Sequence, residues 1–160
     1  MPTAACSFRK PEPSYPLPSR SRKPDPPPDN PEHPRMRTLI VDDTPQVLHD
    51  LRQLLELTGL VEIVAQAGNG LAAVRLAEEL QPDAVIMDLE MPGLDGYEAT
   101  RQIKTIHPVT RVIILSVHAD PDDRQRAREA GADSFVVKGA GYETLMNAIL
   151  GKTYEKGEIP

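Results

Sequence analysis

Several polar side chains follow the ends of short apolar runs in this 160-residue chain, and their types suit the chemistry of phosphorus. Asp42 and Asp43 end the first run, Asp88 the third, Ser116 the fourth and Lys138 the fifth. Converging carboxylates repel one another unless a cation joins them, and hard oxygen ligands of this kind suit Mg²⁺. One carboxylate can attack phosphorus, while an ammonium and a hydroxyl stabilise the oxygens of the transferred group. The set predicts a Mg²⁺-assisted phosphoryl-transfer site, provided that the fold brings these residues together.

The elements that would position these residues are five apolar runs that alternate with segments of helical periodicity. The runs cover residues 39–41, 61–65, 84–87, 112–115 and 135–137. Such alternation predicts parallel strands joined by right-handed helical crossovers. The second run carries Glu62 in its middle, which favours a position at the edge of the sheet. We therefore predict an α/β fold of the flavodoxin-like type, with five βα units forming a doubly wound parallel sheet of strand order 2-1-3-4-5.

This strand order explains how residues far apart in the sequence can form one site. Strands one, three, four and five become neighbours, and ligands of open parallel sheets bind beyond the carboxyl ends of the strands. Every polar residue named above stands at such an end. They are therefore predicted to line a single crevice.

Helix starts are marked by residues that cap a first turn. Thr44 and Asp120 each precede a proline, a combination that favours the beginning of a helix. Asp95 followed by Glu98 resembles a capping box at the start of the third helix. These signals place the helices between the apolar runs, as the predicted fold requires.

The fourth helix, predicted over residues 122–130, is poor in apolar residues. Its apolar side chains are Ala127 and Ala130, which predicts weak burial, and Gly131 is predicted to end it. Three arginines lie on the same segment: Arg124, Arg126 and Arg128. We interpret them as a solvated face, with a partner surface as the alternative.

Composition divides the chain into three parts. Residues 1–35 hold 11 of the 17 prolines and carry a net charge of +2, from six basic and four acidic side chains. We predict a disordered extension with local polyproline II character, either a docking tail for an aromatic groove or a dispensable leader. Residues 36–152 are predicted to form the folded domain, and residues 153–160 a short tail.

Overall charge and apolar content restrict the class of protein. The formal net charge of −6 argues against direct nucleic-acid binding. No apolar run reaches the length of about 18 residues that a membrane span requires, and the N-terminus lacks a signal-peptide core. Cys6 is the single cysteine, so no disulfide can form within the chain. We expect a cytoplasmic protein without membrane contact.

Four motifs resemble the receiver family of response regulators in two-component signalling. They are LIVDD at residues 39–43, VIMDLEMPGLDG at 85–96, ILS at 114–116 and FVVK at 135–138. The resemblance covers residues 37–151, and the segment around Asp88 is the most specific part of it. The residues after Lys138 are most similar to receivers of LuxR- and FixJ-type regulators, although a helix-turn-helix is not expected here.

The resemblance implies a role for each acidic residue of the crevice. Asp88 resembles the phosphoacceptor and also a metal ligand. Asp43 resembles the direct Mg²⁺ ligand, Asp42 a ligand acting largely through a water, and the backbone carbonyl of Glu90 the third protein ligand. Lys138 resembles the cation that pairs with the phosphoryl group.

Further positions resemble those that read out phosphorylation in the family. Ser116 resembles the switch hydroxyl, and Phe135 resembles the aromatic switch, with simple edge-strand packing as the alternative. Glu90 and His118 stand where the family tunes the rate of dephosphorylation. Gly139 departs from the family pattern, because many members have proline there; a trans peptide bond is therefore expected after Lys138.

The implied function is phosphorelay signalling rather than enzymatic turnover. The expected partners are a sensor histidine kinase or phosphotransfer protein and an output protein, with a phosphorylation-dependent homodimer as a further family expectation. A hydrolase of the aspartyl-phosphate type is disfavoured because Glu90 replaces the second aspartate of those enzymes. Ten residues follow Leu150, too few for a DNA-binding module. The sequence is thus expected to be a stand-alone receiver, or the receiver half of a LuxR-type transcriptional regulator.

Overall fold

A parallel sheet flanked by helices is formed by residues 34–118 and 120–152, the part of the chain described by the computed structural model. The strands are β1 Met36–Val41, β2 Val61–Ala67, β3 Ala84–Asp88, β4 Arg111–Ser116 and β5 Ser134–Val137. The helices are α1 Pro45–Glu56, α2 Gly70–Leu80, α3 Gly96–Ile106, α4 Pro121–Glu129 and α5 Tyr142–Leu150. The strand order is β2-β1-β3-β4-β5, and every pairing is parallel. The predicted flavodoxin-like fold and its strand order are confirmed.

Continuous apolar strands are needed because helices cover both faces of the sheet. Along β1, Leu39 and Val41 face a core cluster shared with α2, α3 and α4, whereas Ile40 faces a second cluster shared with α1 and α5. All of β3 is buried. β2 lies at one edge of the sheet, where Glu62 is only partly buried, as the charge in that run predicted.

The helix starts agree with the sequence signals, although the caps differ in detail. Thr44 and Asp120 occupy N-cap positions before their prolines, but neither side chain bonds to its own helix. Asp95 Oδ1 accepts a 2.8 Å hydrogen bond from the Glu98 N–H, which is half of the predicted capping box. The Glu98 carboxylate does not complete the box; it accepts hydrogen bonds from the side chains of Arg101 and Gln102.

Helix α4 is anchored by very little apolar surface. Ala127 is its one buried residue, and Ala130 is buried just after its last turn. Gly131 follows with a φ of +94°, and its N–H donates to the Arg128 carbonyl, which closes the helix as predicted. The prediction of a weakly buried fourth helix is confirmed.

Two sequence predictions fall largely on residues outside the described range. The proline-rich extension, predicted over residues 1–35, has only Pro34 and Arg35 within that range, and the tail 153–160 lies entirely beyond it. Within residues 34–118 and 120–152, no helix combines the length and apolarity that crossing a bilayer requires.

Gly96, the first residue of α3, packs directly against the strand that ends in Asp88. A Cβ added to Gly96 would collide with the Asp88 carbonyl oxygen and lie 3.0 Å from the Leu89 Cα. Because backbone atoms cannot yield as a flexible side chain can, Gly96→Ala is expected to lower the free energy of unfolding by about 1–3 kcal/mol. Urea denaturation would measure the change.

The matched control is Gly68→Ala, since a Cβ at Gly68 meets nothing within 4 Å and its φ lies outside the left-handed region. That variant is expected to unfold at nearly the same urea concentration as the wild type. Equal midpoints for both variants would contradict the close packing at Gly96.

Candidate functional site

The candidate site is the crevice at the carboxyl ends of β1, β3, β4 and β5. Asp88 pairs in register with Leu115, and Ser116 pairs with Val137, so these strands end at nearly the same level. Lys138 directly follows β5, and its N–H donates a 2.7 Å hydrogen bond to the Ser116 carbonyl. The crevice therefore gathers polar residues that are separated by up to 96 positions in the sequence.

Three carboxylates meet in the crevice. Asp42, Asp43 and Asp88 each offer an oxygen atom, and these atoms all lie within 4.8 Å of one another. Asp42 is 1% exposed and Asp88 is 3% exposed, whereas Asp43 is open to solvent. This arrangement agrees with the expectation that strand-end aspartates converge.

The Lys138 ammonium joins the two buried carboxylates. Its Nζ lies 2.8 Å from Asp42 Oδ2 and 3.0 Å from Asp88 Oδ1. The other Asp42 oxygen, Oδ1, accepts a 2.9 Å hydrogen bond from the Thr44 N–H. Both oxygens of Asp42 thus have partners within the protein, which leaves Asp43 as the accessible carboxylate beside Asp88.

Burial and charge act in opposite directions on the ionisation of this cluster. Burial raises the pKa of Asp88, and the Asp42 charge adds to that rise, while Lys138 and the Glu90 N–H lower it; the net pKa is above the ordinary value. For Lys138, burial alone would lower the pKa, but its hydrogen bonds to Asp42 and Asp88 raise it above the ordinary value. The pairing favours the charged form of Lys138, but it offsets only part of the cost of burying the charge of Asp88.

The residues present fit a hard divalent cation. Carboxylate number and spacing match what Mg²⁺ accepts from proteins, namely one or two direct carboxylates with the remaining positions held by water or phosphate oxygens. Asp43 is exposed and lies beside Asp88 in the cluster, so these two carboxylates are the candidates for direct ligands. The Glu90 backbone reaches the same crevice, close enough to the Asp88 carboxylate to lower its pKa.

Ser116 and His118 form the wall of the crevice on the β4 side. Ser116 is 1% exposed, and its Oγ accepts a 3.2 Å hydrogen bond from the His118 N–H. The His118 Nε2 lies 2.8 Å from Glu90 Oε1, and both side chains are more than half exposed. Glu90 and His118, each two residues beyond the end of a strand, thus meet across the mouth of the crevice.

Phe135 lies on β5, away from the carboxylates, and is partly buried against the core cluster that includes Ala127 and Ala130. The guanidinium of Arg124 lies over its ring, 4.9 Å from the centroid. Arg126 lies 4.2 Å from the centroid of Tyr97, whose hydroxyl donates a 2.8 Å hydrogen bond to Asp123. Arg124 and Arg126 therefore contact aromatic rings and are not simply a solvated face.

Sequence reasoning missed two contacts of this site. It paired Lys138 with a phosphoryl group but did not foresee that Lys138 would bridge Asp42 and Asp88. It also did not foresee that the side chains of His118 and Glu90 would contact each other. The sequence does hint at this contact. Glu90 and His118 each stand two residues after a strand, and both strands end at the same crevice.

The raised pKa of Asp88 leads to a prediction about stability. In EDTA at about pH 7, Asp88→Asn is expected to raise the free energy of unfolding, because it removes a buried charge beside Asp42. A raised pKa in the folded state means that Asp88 binds more protons in the folded protein than in the unfolded chain. Its contribution to wild-type stability therefore becomes more favourable when the pH is lowered from about 7 to about 5. The difference in the free energy of unfolding between Asp88→Asn and the wild type should therefore decrease as the pH is lowered. Urea unfolding at the two pH values would measure it.

The control for this prediction is Asp50→Asn, at an exposed α1 residue that accepts a hydrogen bond from the Gln46 amide. The difference in the free energy of unfolding between Asp50→Asn and the wild type is expected to be the same at both pH values. A destabilised Asp88→Asn protein at neutral pH would show that the Lys138 pairing outweighs the cost of burial.

The sequence matches one family model, described as the response regulator receiver domain, over residues 38–150. Among curated proteins, the response regulator GacA of Pseudomonas aeruginosa is 38% identical over 120 residues, covering 71% of this chain and 53% of GacA. The chain spans about half the length of the curated relatives it matches.

Solved structures give the same result for the fold. A LuxR-family two-component response regulator from Aurantimonas has a TM-score of 0.70 at 37% identity, covering 73% of this chain and 84% of that one. The isolated receiver domain of RcsB from Salmonella enterica serovar Typhimurium, solved with the phosphomimetic BeF₃⁻, has a TM-score of 0.67 at 26% identity, covering 75% and 92%. The chain belongs to the response regulator receiver domain family.

Proposed function

We propose that the chain accepts a phosphoryl group on Asp88 and transmits the signal through contacts with other proteins. The observation that carries this proposal is the position of Asp88, at the end of β3 and 3.0 Å from the Lys138 ammonium, among three converging carboxylates. A carboxylate in such surroundings can act as a nucleophile toward phosphorus. The phosphodonor is a sensor histidine kinase or a phosphotransfer protein.

The transfer itself needs little more than positioning and charge. An oxygen of the ionised Asp88 carboxylate attacks phosphorus and forms an acyl phosphate. The bond from phosphorus to the donor imidazole nitrogen breaks, and the imidazole keeps the electron pair and takes up a proton. Lys138, already within 3.0 Å of Asp88, is placed to pair with an oxygen of the transferred group. The reaction modifies the protein itself and involves no turnover of a separate substrate.

The proposed metal site uses Asp43 and Asp88 directly, Asp42 through a water, and the Glu90 carbonyl. Mg²⁺ bound there supplies positive charge that offsets the repulsion among the carboxylates and the incoming phosphoryl oxygens. Asp42 suits an indirect role because both its oxygens already accept hydrogen bonds, from Lys138 and from the Thr44 N–H.

Ser116 and Phe135 are proposed to convert phosphorylation into a change of surface. Ser116 is buried at the wall of the crevice, with a hydroxyl that can turn toward an oxygen on Asp88. Phe135 lies on the next strand and contacts α4 through Arg124. A two-state shift at these residues would reach the surface around α4 and β5, where an output protein or a second copy of the chain can respond.

A second candidate function is the receiver half of a LuxR-type transcriptional regulator. The observation in its favour is that the chain covers 53% of GacA and is 37% identical to a LuxR-family regulator of known structure. The chemistry at Asp88 is the same in both candidates. They differ only in whether the output reaches DNA through a further domain, and no direct nucleic-acid contact is proposed for the residues described. The protein is proposed to act in the cytoplasm.

Phosphorylation at Asp88 can be tested by intact-mass measurement. With Mg²⁺ and acetyl phosphate as a small phosphodonor, the wild type is expected to gain the mass of one phosphoryl group. Asp88→Ala should gain none, because the nucleophile is absent. Ser116→Ala should still be labelled, because the hydroxyl does not form the bond.

Asp50→Ala serves as the control, since it removes an exposed carboxylate from α1, outside the crevice. It is expected to be labelled like the wild type. An unchanged wild-type mass, with Mg²⁺ binding established separately by calorimetry, would rule out the phosphoacceptor function.

Metal binding gives an independent prediction. Asp43→Asn is expected to weaken Mg²⁺ binding by about tenfold or more, because it removes the most accessible charged ligand. Isothermal titration calorimetry suits the measurement, since the chain has no tryptophan to report binding by fluorescence. Asp50→Asn should bind Mg²⁺ with wild-type affinity. Equal affinity in Asp43→Asn and the wild type would remove Asp43 from the ligand set.

A further inference from the structure

The second edge of the sheet is formed by β5, and its outer side is open. Within the described residues β5 pairs only with β4. Helix α4 packs on one face of the sheet through Ala127, and α5 packs on the other through Leu145. The row of backbone N–H and C=O groups between the two helices is therefore available to an added strand.

Two hollows lie beside this edge and share part of their lining. One, of about 250 Å³, lies between β5 and α5, and the other, of about 170 Å³, lies between β5 and α4. Asp133, Ser134 and Phe135 line both. The two hollows thus flank the beginning of β5 and could receive side chains that alternate along an extended segment.

The side chains around the edge are unusually basic for an acidic protein. Arg111 and Lys152 line the first hollow, and Arg124 and Arg128 line the second. Within residues 34–118 and 120–152, none of these four cations lies in an ion pair with a carboxylate. The formal net charge of the chain is −6, so the charge of this patch is opposite in sign to that of the whole chain.

The carboxylate that lines the hollows, Asp133, does not neutralise the patch. Its Oδ2 accepts a 2.8 Å hydrogen bond from the Val112 N–H and lies 3.1 Å from the Lys104 ammonium. Lys104 also donates to the carbonyls of Pro108 and Thr110, so this pair is fixed within the fold. Asp133 is therefore already balanced by a cation outside the patch.

Two of the four cations are held in place by their neighbours. The guanidinium of Arg124 lies over the Phe135 ring. That of Arg111 lies against Gly151, where an added Cβ would come within 2.5 Å of its Nη2 atom. A guanidinium that is fixed before binding loses less freedom when it pairs with a carboxylate.

We propose that the β5 edge and its four cations, Arg111, Arg124, Arg128 and Lys152, bind an extended acidic segment of a partner protein. The segment adds a strand beside β5, and its carboxylates pair with the cations on the two sides. The proposal deepens the proposed signalling function by giving the chemistry of an output partner. The part that this binding plays in signalling rests on the proposed function, but the binding itself can be measured on the unphosphorylated protein.

Other occupants fit the same observations less well. A nucleic acid would satisfy the cations but has no peptide groups to pair with the strand edge. A second copy docked symmetrically through this patch would bring like charges together. An acidic peptide satisfies both the charge and the open backbone.

The test uses a fluorescein-labelled peptide of about eight residues, a length typical of one strand. Pairs of glutamates alternate with pairs of valines in it, so that carboxylates point to both sides of the added strand. Fluorescence anisotropy gives its affinity, and ¹⁵N NMR follows the amides of Ser134–Val137. The acidic peptide is expected to bind and to shift those amides, while a lysine–valine peptide is expected not to bind. A glutamate–proline peptide should bind more weakly, because proline removes the N–H donors that strand pairing requires.

Two double variants of equal charge isolate the patch. Arg128→Gln with Lys152→Gln removes two exposed cations of the patch, and affinity is expected to fall about fivefold or more. Arg52→Gln with Arg101→Gln removes two exposed cations that pair with glutamates of their own helices, and affinity should be unchanged. Neither pair anchors the core, so both proteins should fold.

Several outcomes would overturn the proposal. These are an absence of peptide binding, an equal loss in both double variants, and equal binding of the glutamate–proline peptide. Tighter binding of a short DNA duplex, with the same loss in the patch variant, would identify a nucleic-acid surface instead. Failure of Asp88 labelling would leave the peptide result unaffected, so the two proposals can be separated.

Discussion

Crowding of negative charge in a buried crevice is the constraint on which the rest of the site depends. Asp42 and Asp88 are almost fully buried, and the Lys138 ammonium within 3.0 Å of both is the positive charge that the fold supplies. Its pairing only partly offsets the cost of burial, because the pKa of Asp88 stays above the ordinary value. A site left short of positive charge in this way is suited to a divalent cation.

The same strand that delivers Lys138 to the crevice also forms the open edge of the sheet. Lys138 directly follows β5, and its N–H donates a hydrogen bond to the Ser116 carbonyl. A shift of Lys138 or of Ser116 would therefore also move the end of β5. Phe135 on that strand contacts Arg124 of α4. One short strand therefore links the proposed phosphoacceptor site to the basic surface proposed to bind a partner.

Backbone features could be predicted from the sequence, whereas side-chain pairings largely could not. Apolar runs and proline-marked starts determine strands and helices locally, and α1 begins at Pro45, directly after Thr44, as expected. The bridge from Lys138 to Asp42 depends on which rotamer a long side chain adopts between two carboxylates, which spacing does not determine. The stacking of Arg124 on Phe135 likewise joins a helix and a strand whose relative positions arise only from packing.

Helix α4 is attached mainly by polar and aromatic contacts, with Ala127 as its one buried residue. Its release from the domain would therefore expose little apolar surface. The change in heat capacity on release would accordingly be small, unlike that for unfolding of the core. The enthalpy of release would then be nearly the same at all temperatures, so the free energy of releasing α4 would vary almost linearly with temperature, whereas the free energy of unfolding of the whole domain follows a curve.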